Sequence, residues 1–383
     1  MRMSGVKGRG GWWRRSGLAV AAAMLAAMVS GMQAGPLAAA EAKGGQVTRL
    51  MPQLGCIATL RAGDALLGGI HAGSLPHHIF IQRCDGLWLS LSQRDGQWRT
   101  QPIGSRYIPR FLPKRKPFAT PDARVTVGAR NIREAWLTRP TRRYDHAVLG
   151  DDIEAGGLAV SDAGGRRVET ILPEEEVFED RMARLLDLDG DGRDEIIVVH
   201  TYRDRGAALA IYGLFGKRET ERLVRLAEST PIGEPYRWLN PAAAGDFDGD
   251  GRLEIAWVET PHMGGVLKVG RLEGTGEKRR LAMLAQARGF SNHEKGSRIL
   301  QQAVSFDWDG DGRADIILPD AARKAMVAVR YADGRLETVA RLPINGVIDS
   351  PIVAADLDRD GRGEALLVTK DGRLLAFAPA ARP

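Results

Sequence analysis

The stretch Leu185–Val199, "LLDLDGDGRDEIIVV", sets Asp187, Asp189, Asp191, Asp194 and Glu195 within nine residues and then runs into four β-branched residues. Carboxylates this crowded repel one another, so the loop needs either open water or a cation at its centre. The apolar run behind it is short, unbroken and β-branched, which reads as a strand buried on both faces. A loop that gathers charge therefore sits directly against the core.

The pattern recurs three times. "GDFDGDGRLEIAWV" carries Asp246, Asp248, Asp250 and Glu254. "SFDWDGDGRADIILP" carries Asp307, Asp309, Asp311 and Asp315, and "AADLDRDGRGEALLV" carries Asp356, Asp358, Asp360 and Glu364. With about one residue in eight acidic, carboxylates at positions 1, 3, 5 and 9 arise by chance in about one window in 4,000, so four copies are a repeat. A single Asp-Gly cluster would be a hairpin turn. Fourfold repetition with fixed spacing reverses that reading.

Alternating residues of a tight loop can point their carboxylates inward, and the glycines allow backbone angles that other residues avoid. The position-seven carbonyls of Arg193, Arg252, Arg313 and Arg362 can turn in as further oxygen ligands. An all-oxygen, carboxylate-rich set with no His or Cys suits calcium over zinc or copper. About four calcium ions follow, with a structural role, since four near-identical copies single none out for catalysis. An EF-hand is excluded: it closes with Glu at position twelve between helices, whereas here the acid stands at position nine before a strand.

This nine-residue loop leading into a strand resembles the FG-GAP or VCBS-type repeat of integrin α-chain propellers and many secreted bacterial proteins. The resemblance covers residues 181–383 and implies that these acids are calcium ligands in the loop joining the first and second strands of each blade. No "GAP" tripeptide accompanies the loops, so only the metal half of the family pattern is present, and the integrin ligand-binding role does not carry over.

The first acids lie 59, 61 and 49 residues apart, a period that marks stacked supersecondary units. Each unit continues through a gap into a hairpin, as in "MVAVRYADGRLETVARLP" (326–343). One strand before the loop, one after it and two in the hairpin make a four-stranded propeller blade. "LAVSDAGGRRVETILP" (158–173) matches the hairpin without a metal loop. "AWLTRPTRRYDHAVLG" then aligns on the loop and its strand, with Thr138, Pro140, Arg142 and His146 in ligand positions. "LWLSLSQRDGQWRTQPI" repeats the hairpin once more, with "HHIFIQRC" as an inner strand. The fold class is all-β: a β-propeller of six blades, or seven if residues 101–125 hide another, although five prolines there oppose strands. The last unit is one strand short, and the N-terminus around Val47–Gln53 can supply it and close the ring.

Residues 1–40 read as a signal peptide: five cations, the apolar "LAVAAAMLAAMV" and a small-residue cleavage site after Ala40. Arg14-Arg15 leaves the route open between general and twin-arginine export. Residues 41–383 form a single propeller domain, with metal-free blades over 55–180 and four calcium-loop blades over 181–383. No later apolar run is long enough for a membrane anchor. Location is periplasmic or extracellular. Cys56 and Cys84, the only cysteines, read as a disulfide in an oxidising compartment, against two buried thiols.

The net charge of +6 falls to +1 once the five leader cations are removed. Residues 99–143 hold twelve Lys/Arg against Asp122 and Glu134, while 144–383 carry a net −10. Arg110, Lys114, Arg115, Lys116, Arg142 and Arg143, interleaved with aromatic residues, are candidates for binding a polyanionic glycan or lipopolysaccharide. The alternative is that these cations neutralise the acidic blades, with Arg142 standing where calcium stands elsewhere. No nucleophile elbow, zinc helix or phosphate loop is present. The seven histidines are scattered; His77-His78 and "SNHEKGS" (291–297) could line a propeller mouth, but a lone loop histidine reads as polar surface, and "PEEEVFED" (173–180) as a solvated connection. The function these features imply is an exported binding or scaffold module for an anionic glycan, lipopolysaccharide or protein partner, without specific nucleic-acid recognition. The alternatives are a propeller-fold enzyme acting on polysaccharide and a cell-surface assembly protein.

Overall fold

A computed structural model describes residues 45–62, 75–95, 97–104, 116–217, 220–276 and 279–380. The first strand is β1 (Gly45–Arg49). Blade one follows as β2 (Ile57–Ala62), β3 (Ile79–Arg83), β4 (Trp88–Arg94) and β5 (Gln97–Pro102). Blade two is β6 (Thr126–Val127), β7 (Ile132–Thr141), β8 (Glu154–Asp162) and β9 (Arg167–Ile171). Blade three has a broken inner edge, β10 (Glu176–Phe178) and β11 (Arg184–Leu186), then β12 (Glu195–Tyr202), β13 (Gly206–Phe215) and β14 (Arg222–Glu228).

Blade four is β15 (Leu239–Gly245), β16 (Glu254–Glu259), β17 (Val266–Glu273) and β18 (Arg280–Arg288). Blade five is β19 (Val304–Phe306), β20 (Asp315–Pro319), β21 (Ala325–Ala332) and β22 (Arg335–Pro343). Blade six is β23 (Val353–Ala355), β24 (Glu364–Val368) and β25 (Leu374–Pro379), with β1 added at its edge. All pairings between these strands are antiparallel, and the described residues make a β-propeller of six blades. The N-terminal strand runs from Gly45 opposite Pro379 to Arg49 opposite Leu375, so it supplies the missing strand of the last blade.

The unbroken apolar runs are explained by what flanks them. Successive side chains on a strand point to opposite faces, and the second strands of blades three to six each lie between two neighbouring blades. Ile196 and Val198 pack with Leu137, Leu158 and Val160 of blade two. Ile197 and Val199 pack the other way, with Leu239, Ile255 and Trp257 of blade four. Blades four and five meet the same way through Val258, Val269, Leu318 and Val329, and blades five and six through Ile317, Ala328, Leu367 and Phe377. Blade six meets blade one through Leu366, Val368, Leu60, Ile79 and Ile81.

Three local readings of the sequence are corrected. β7 runs through Thr138 and Pro140, so those positions are strand, not a degenerate metal loop. The first-to-second strand loop of blade two is the four residues Gly128–Asn131. "HHIFIQRC" is the second strand of blade one, and the inner strand is Ile57–Ala62. "PEEEVFED" is not a solvated connection: Glu179 and Asp180 are buried. Asp180 lies in the break between β10 and β11, accepts the Val199 N–H at 3.0 Å and pairs with Arg184. That carboxylate satisfies a backbone donor left over where the inner edge is interrupted.

Cys56 and Cys84 form a disulfide, with Cα atoms 5.5 Å apart, between the neighbouring strands β2 and β3. The Gly372 turn of blade six packs against it, since a Cβ there would meet the Cys56 sulfur at 2.9 Å. Cross-linking a loop of this length stabilises a fold by about 3 kcal/mol. A C56S/C84S double variant is therefore expected to melt about 4 °C below the oxidised protein by calorimetry. Equal melting points would show that the bond adds nothing.

Candidate metal centre

All four acidic loops join the first and second strands of their blades, and one hydrogen-bond scheme repeats in each. The first Asp accepts the N–H of the sixth residue: Asp187 from Gly192 at 3.1 Å, Asp246 from Gly251 at 2.9 Å, Asp307 from Gly312 at 2.9 Å and Asp356 from Gly361 at 3.3 Å. Asp189, Asp248 and Asp358 accept the N–H of the fifth residue. The fifth-position acids Asp191, Asp250, Asp311 and Asp360 accept from the Arg N–H at position seven, at 2.8–2.9 Å. Gly190 and Gly192 adopt φ of +74° and +82°, the left-handed angles that let the loop curl inward. In the fourth loop Arg359 takes the first of these places at φ +64°.

The closing acid ties the loop to the core. Glu195, Glu254, Asp315 and Glu364 accept the N–H of Leu188, Phe247, Trp308 and Leu357 at 2.8–2.9 Å. Each donor belongs to the buried apolar residue at position two. Burial raises these carboxyl groups, to about 7 for Glu195, Glu254 and Asp315 and about 8 for Glu364, with the neighbouring acids adding to the rise. A cation beside them would bring the values back down.

Ligand atoms of Asp187, Asp189 and Glu195 lie within 4.8 Å of one another, as do those of Asp246/Asp248/Asp250, Asp307/Asp309/Asp311 and Asp356/Asp358/Asp360. Each trio could hold a metal ion. Asp187 Oδ1 and Asp356 Oδ1 are buried and have no hydrogen-bond donor, and Glu254 Oε1 meets only the Arg271 Nε at 3.3 Å, outside hydrogen-bond geometry. Buried carboxylate oxygens in that condition are rare and fit a donor set built for a cation.

Arginines from outside the loops also enter these clusters, which sequence reading missed. Arg271 of β17 faces Glu254 across the strand pair and reaches Asp248 at 2.9 Å, Asp250, and Glu254 at 3.3 Å. Arg279, from the blade-four hairpin, reaches Asp189 at 2.5 Å, Asp191 at 3.4 Å and Glu195 at 3.1 Å in blade three. Arg330 of β21 touches Asp309 at 2.9 Å. In the fourth loop only its own Arg362 pairs with Asp360, and His77 Nδ1 lies 3.5 Å from Asp356, among the described residues. An arginine in the returning hairpin strand was the available signal for Arg271 and Arg330.

The basic segment is largely engaged internally. Arg142 pairs with Asp152, and so does not stand in for calcium. Arg143 donates to the Glu176 carbonyl, and Lys116 pairs with Glu134. Arg130 reaches Asp194 at 2.9 Å and Asp187 at 3.7 Å, which places a blade-two cation on the first metal loop. Arg110, Lys114 and Arg115 lie outside the described residues.

At the opposite strand ends, connections of blades two to four gather Tyr144, His146, Tyr236, Trp238, His262 and His293. These histidines, with His200, are not simple polar surface. His146 contacts Glu179 at 2.6 Å, and the ring of His262 stacks on Trp238. His293 Nε2 donates to the Ser297 carbonyl at 3.0 Å, so its Nδ1 accepts from His262 Nε2 at 2.9 Å. Burial lowers His262 to about 4 and His293 to about 3, which favours the neutral rings that this bonding scheme uses.

A family model for the FG-GAP-like repeat matches residues 187–257 and 307–367. The chain carries FG-GAP-like repeats. The two matched stretches contain all four acidic loops. No curated protein matches the chain. Among solved structures it is similar to the WD40 domain of Toxoplasma gondii coronin, with 11% identity, TM-score 0.36, and coverage of 90% of this chain and 78% of that one. It is also similar to the fucose-specific lectin from Aleuria aurantia, with 13% identity, TM-score 0.34, and coverage of 79% and 89%. A third is the exotype rhamnogalacturonan lyase YesX, with 17% identity, TM-score 0.37, and coverage of 77% and 55%.

The depressed histidines give a pH dependence with a definite sign. A group whose folded value lies below its unfolded value near 6.5 contributes stability above that value and loses it as pH falls toward the folded one. Urea denaturation of wild type and His293→Asn at pH 7.5 and 4.5 is the check. Wild type should lose more stability between the two, by up to about 1.4 kcal/mol per pH unit for the one proton involved. Parallel losses would place the His293 proton elsewhere.

Proposed function

We propose that this chain is an exported, calcium-stabilised propeller that works as a binding or scaffold module. The observation that carries the calcium reading is the pair of buried carboxylate oxygens with neither a donor nor an ion pair, Asp187 Oδ1 and Asp356 Oδ1, each on the first acid of its loop. An acid cluster held in place by backbone N–H groups is costly when nothing offsets its charge, so an ion that binds only the folded loop stabilises the fold. The position-seven carbonyls are the proposed additional ligands. Exported modules of this kind bind at about 0.1–1 mM, which suits a periplasmic or extracellular setting.

A binding role is favoured over catalysis by the state of the imidazoles. His146, His200, His262 and His293 each have an internal hydrogen-bond partner and pack against neighbouring aromatic rings. Rings locked this way serve packing; none is offered to a substrate as a general base. The proposed partner is an anionic glycan or lipopolysaccharide approaching the basic segment. Each bound calcium ion would add two positive charges to a mature chain of +1, which increases its attraction for polyanions. The exposed Arg99 and Arg133, with Arg110, Lys114 and Arg115, are the cations proposed to meet it.

Two measurements test these readings. Thermal unfolding in about 10 mM calcium and in chelator should differ by about 1.5–3 kcal/mol per site of sub-millimolar to millimolar affinity. Identical transitions would exclude folding-linked binding. Salt elution from immobilised heparin and lipopolysaccharide should come earlier when Arg110, Lys114 and Arg115 are changed to Ser. Unchanged elution would leave those cations as counter-charge for the acidic blades.

A further inference from the structure

The four loops share a backbone, but their cation supply differs. The difference lies in the strand that returns beside the closing acid. That place holds Arg271 opposite Glu254. One step past the Ile316–Val329 pair stands Arg330, one past Ile196–Tyr212 stands Gly213, and one past Ala365–Phe377 stands Ala378. In the first loop the glycine cannot supply a cation, and Arg279 arrives instead from the hairpin of the next blade. In the fourth, alanine stands at that place, and no arginine from another element reaches the loop among the described residues.

We propose that Arg279 and Arg271 take the place of the divalent cation in the first and second loops, and that the fourth loop, residues 356–364, binds calcium with no such competitor. This rests on the calcium reading above and narrows it.

Each of the two arginines bridges the acids at positions three, five and nine, which are the oxygens an ion would need. Both side chains are only 11% exposed. A guanidinium is always protonated and presents five donors in one plane, so a single group can serve three carboxylates. For an ion to enter, that charge must leave all three and go without a partner in a site shielded from water, a strongly unfavourable exchange. Asp187 Oδ1 keeps no donor, but the charge of its loop is met by Arg279 and by Arg130, whose Nε lies 3.7 Å from Asp187 Oδ2.

The fourth loop lacks that competitor. Asp356 is 7% exposed, its Oδ1 has no donor, and its ligand atom lies within 4.8 Å of those of Asp358 and Asp360. Arg362 holds Asp360 from the loop's own position seven and also donates to the Ala380 carbonyl at 2.7 Å. In the third loop Arg330 reaches only Asp309, so that loop falls between the two kinds.

The experiment uses the mature full chain. Crystals of wild type soaked in terbium should show anomalous density among Asp356, Asp358 and Asp360, and none among Asp246, Asp248 and Asp250 or among Asp187, Asp189 and Glu195. Equilibrium dialysis with radioactive calcium should then show one ion more per chain for Arg271→Ala, one more for Arg279→Ala, and one fewer for Asp356→Asn. Density in the first or second loop of wild type overturns the assignment. So does an ion count that neither arginine variant changes. Wild type that binds no ion in any loop refutes the calcium reading itself, a distinct result. If Arg271→Ala does not fold, the terbium positions in wild type decide alone.

Discussion

Everything in this molecule depends on one short contact: a buried carboxylate at position nine accepting the N–H of the apolar residue at position two. It joins two requirements that otherwise conflict. The loop must gather charge, yet Leu188, Phe247, Trp308 and Leu357 must enter the core from within it. Without the contact, a backbone donor would be buried unpaired just where the chain turns into the second strand, at a cost of about 1–3 kcal/mol each time. With it, the start of each second strand is anchored, and the strand can be apolar on both faces because a blade waits on either side.

That anchoring also accounts for what could be read from the sequence. All the acids of a loop lie within nine residues, so their spacing survives any uncertainty about the rest of the fold. The two-faced burial of Ile196–Val199 follows from the same local run. Even the missing strand of the last blade was legible, since a unit one strand short leaves an edge that the N-terminal segment can fill. The structure begins that strand at Gly45, two residues before Val47.

What was not legible lies across strands and across blades. Gapless alignment of 135–150 on a metal loop failed because β7 continues through Thr138 and Pro140. A blade without a metal does not need a long first loop, and the four residues Gly128–Asn131 suffice. The buried acids of "PEEEVFED" looked solvated because their partners, His146, Thr201 and Arg184, come from other segments. Arg279 is the extreme case. It lies 84 residues from Glu195 and in a different blade, so no spacing rule within one repeat could connect them.

The two kinds of cation differ in a way that bears on where each is used. An arginine is part of the chain and is present whenever the chain folds, so on the proposed assignment the first and second loops owe nothing to the medium. An ion is exchangeable, and the fourth loop lies where blade six meets blade one. There Asp356 donates its N–H to the Pro76 carbonyl at 3.0 Å, and His77 and Gln93 reach the Asp356 and Leu357 carbonyls. Among the described residues the first and last strands, β1 and β25, join in the same blade through an antiparallel pairing. On the proposed assignment, a loop whose charge depends on external calcium stands beside the junction of these two strands. Loss of the ion would then be felt first at that junction, while the blades neutralised by arginine keep their packing.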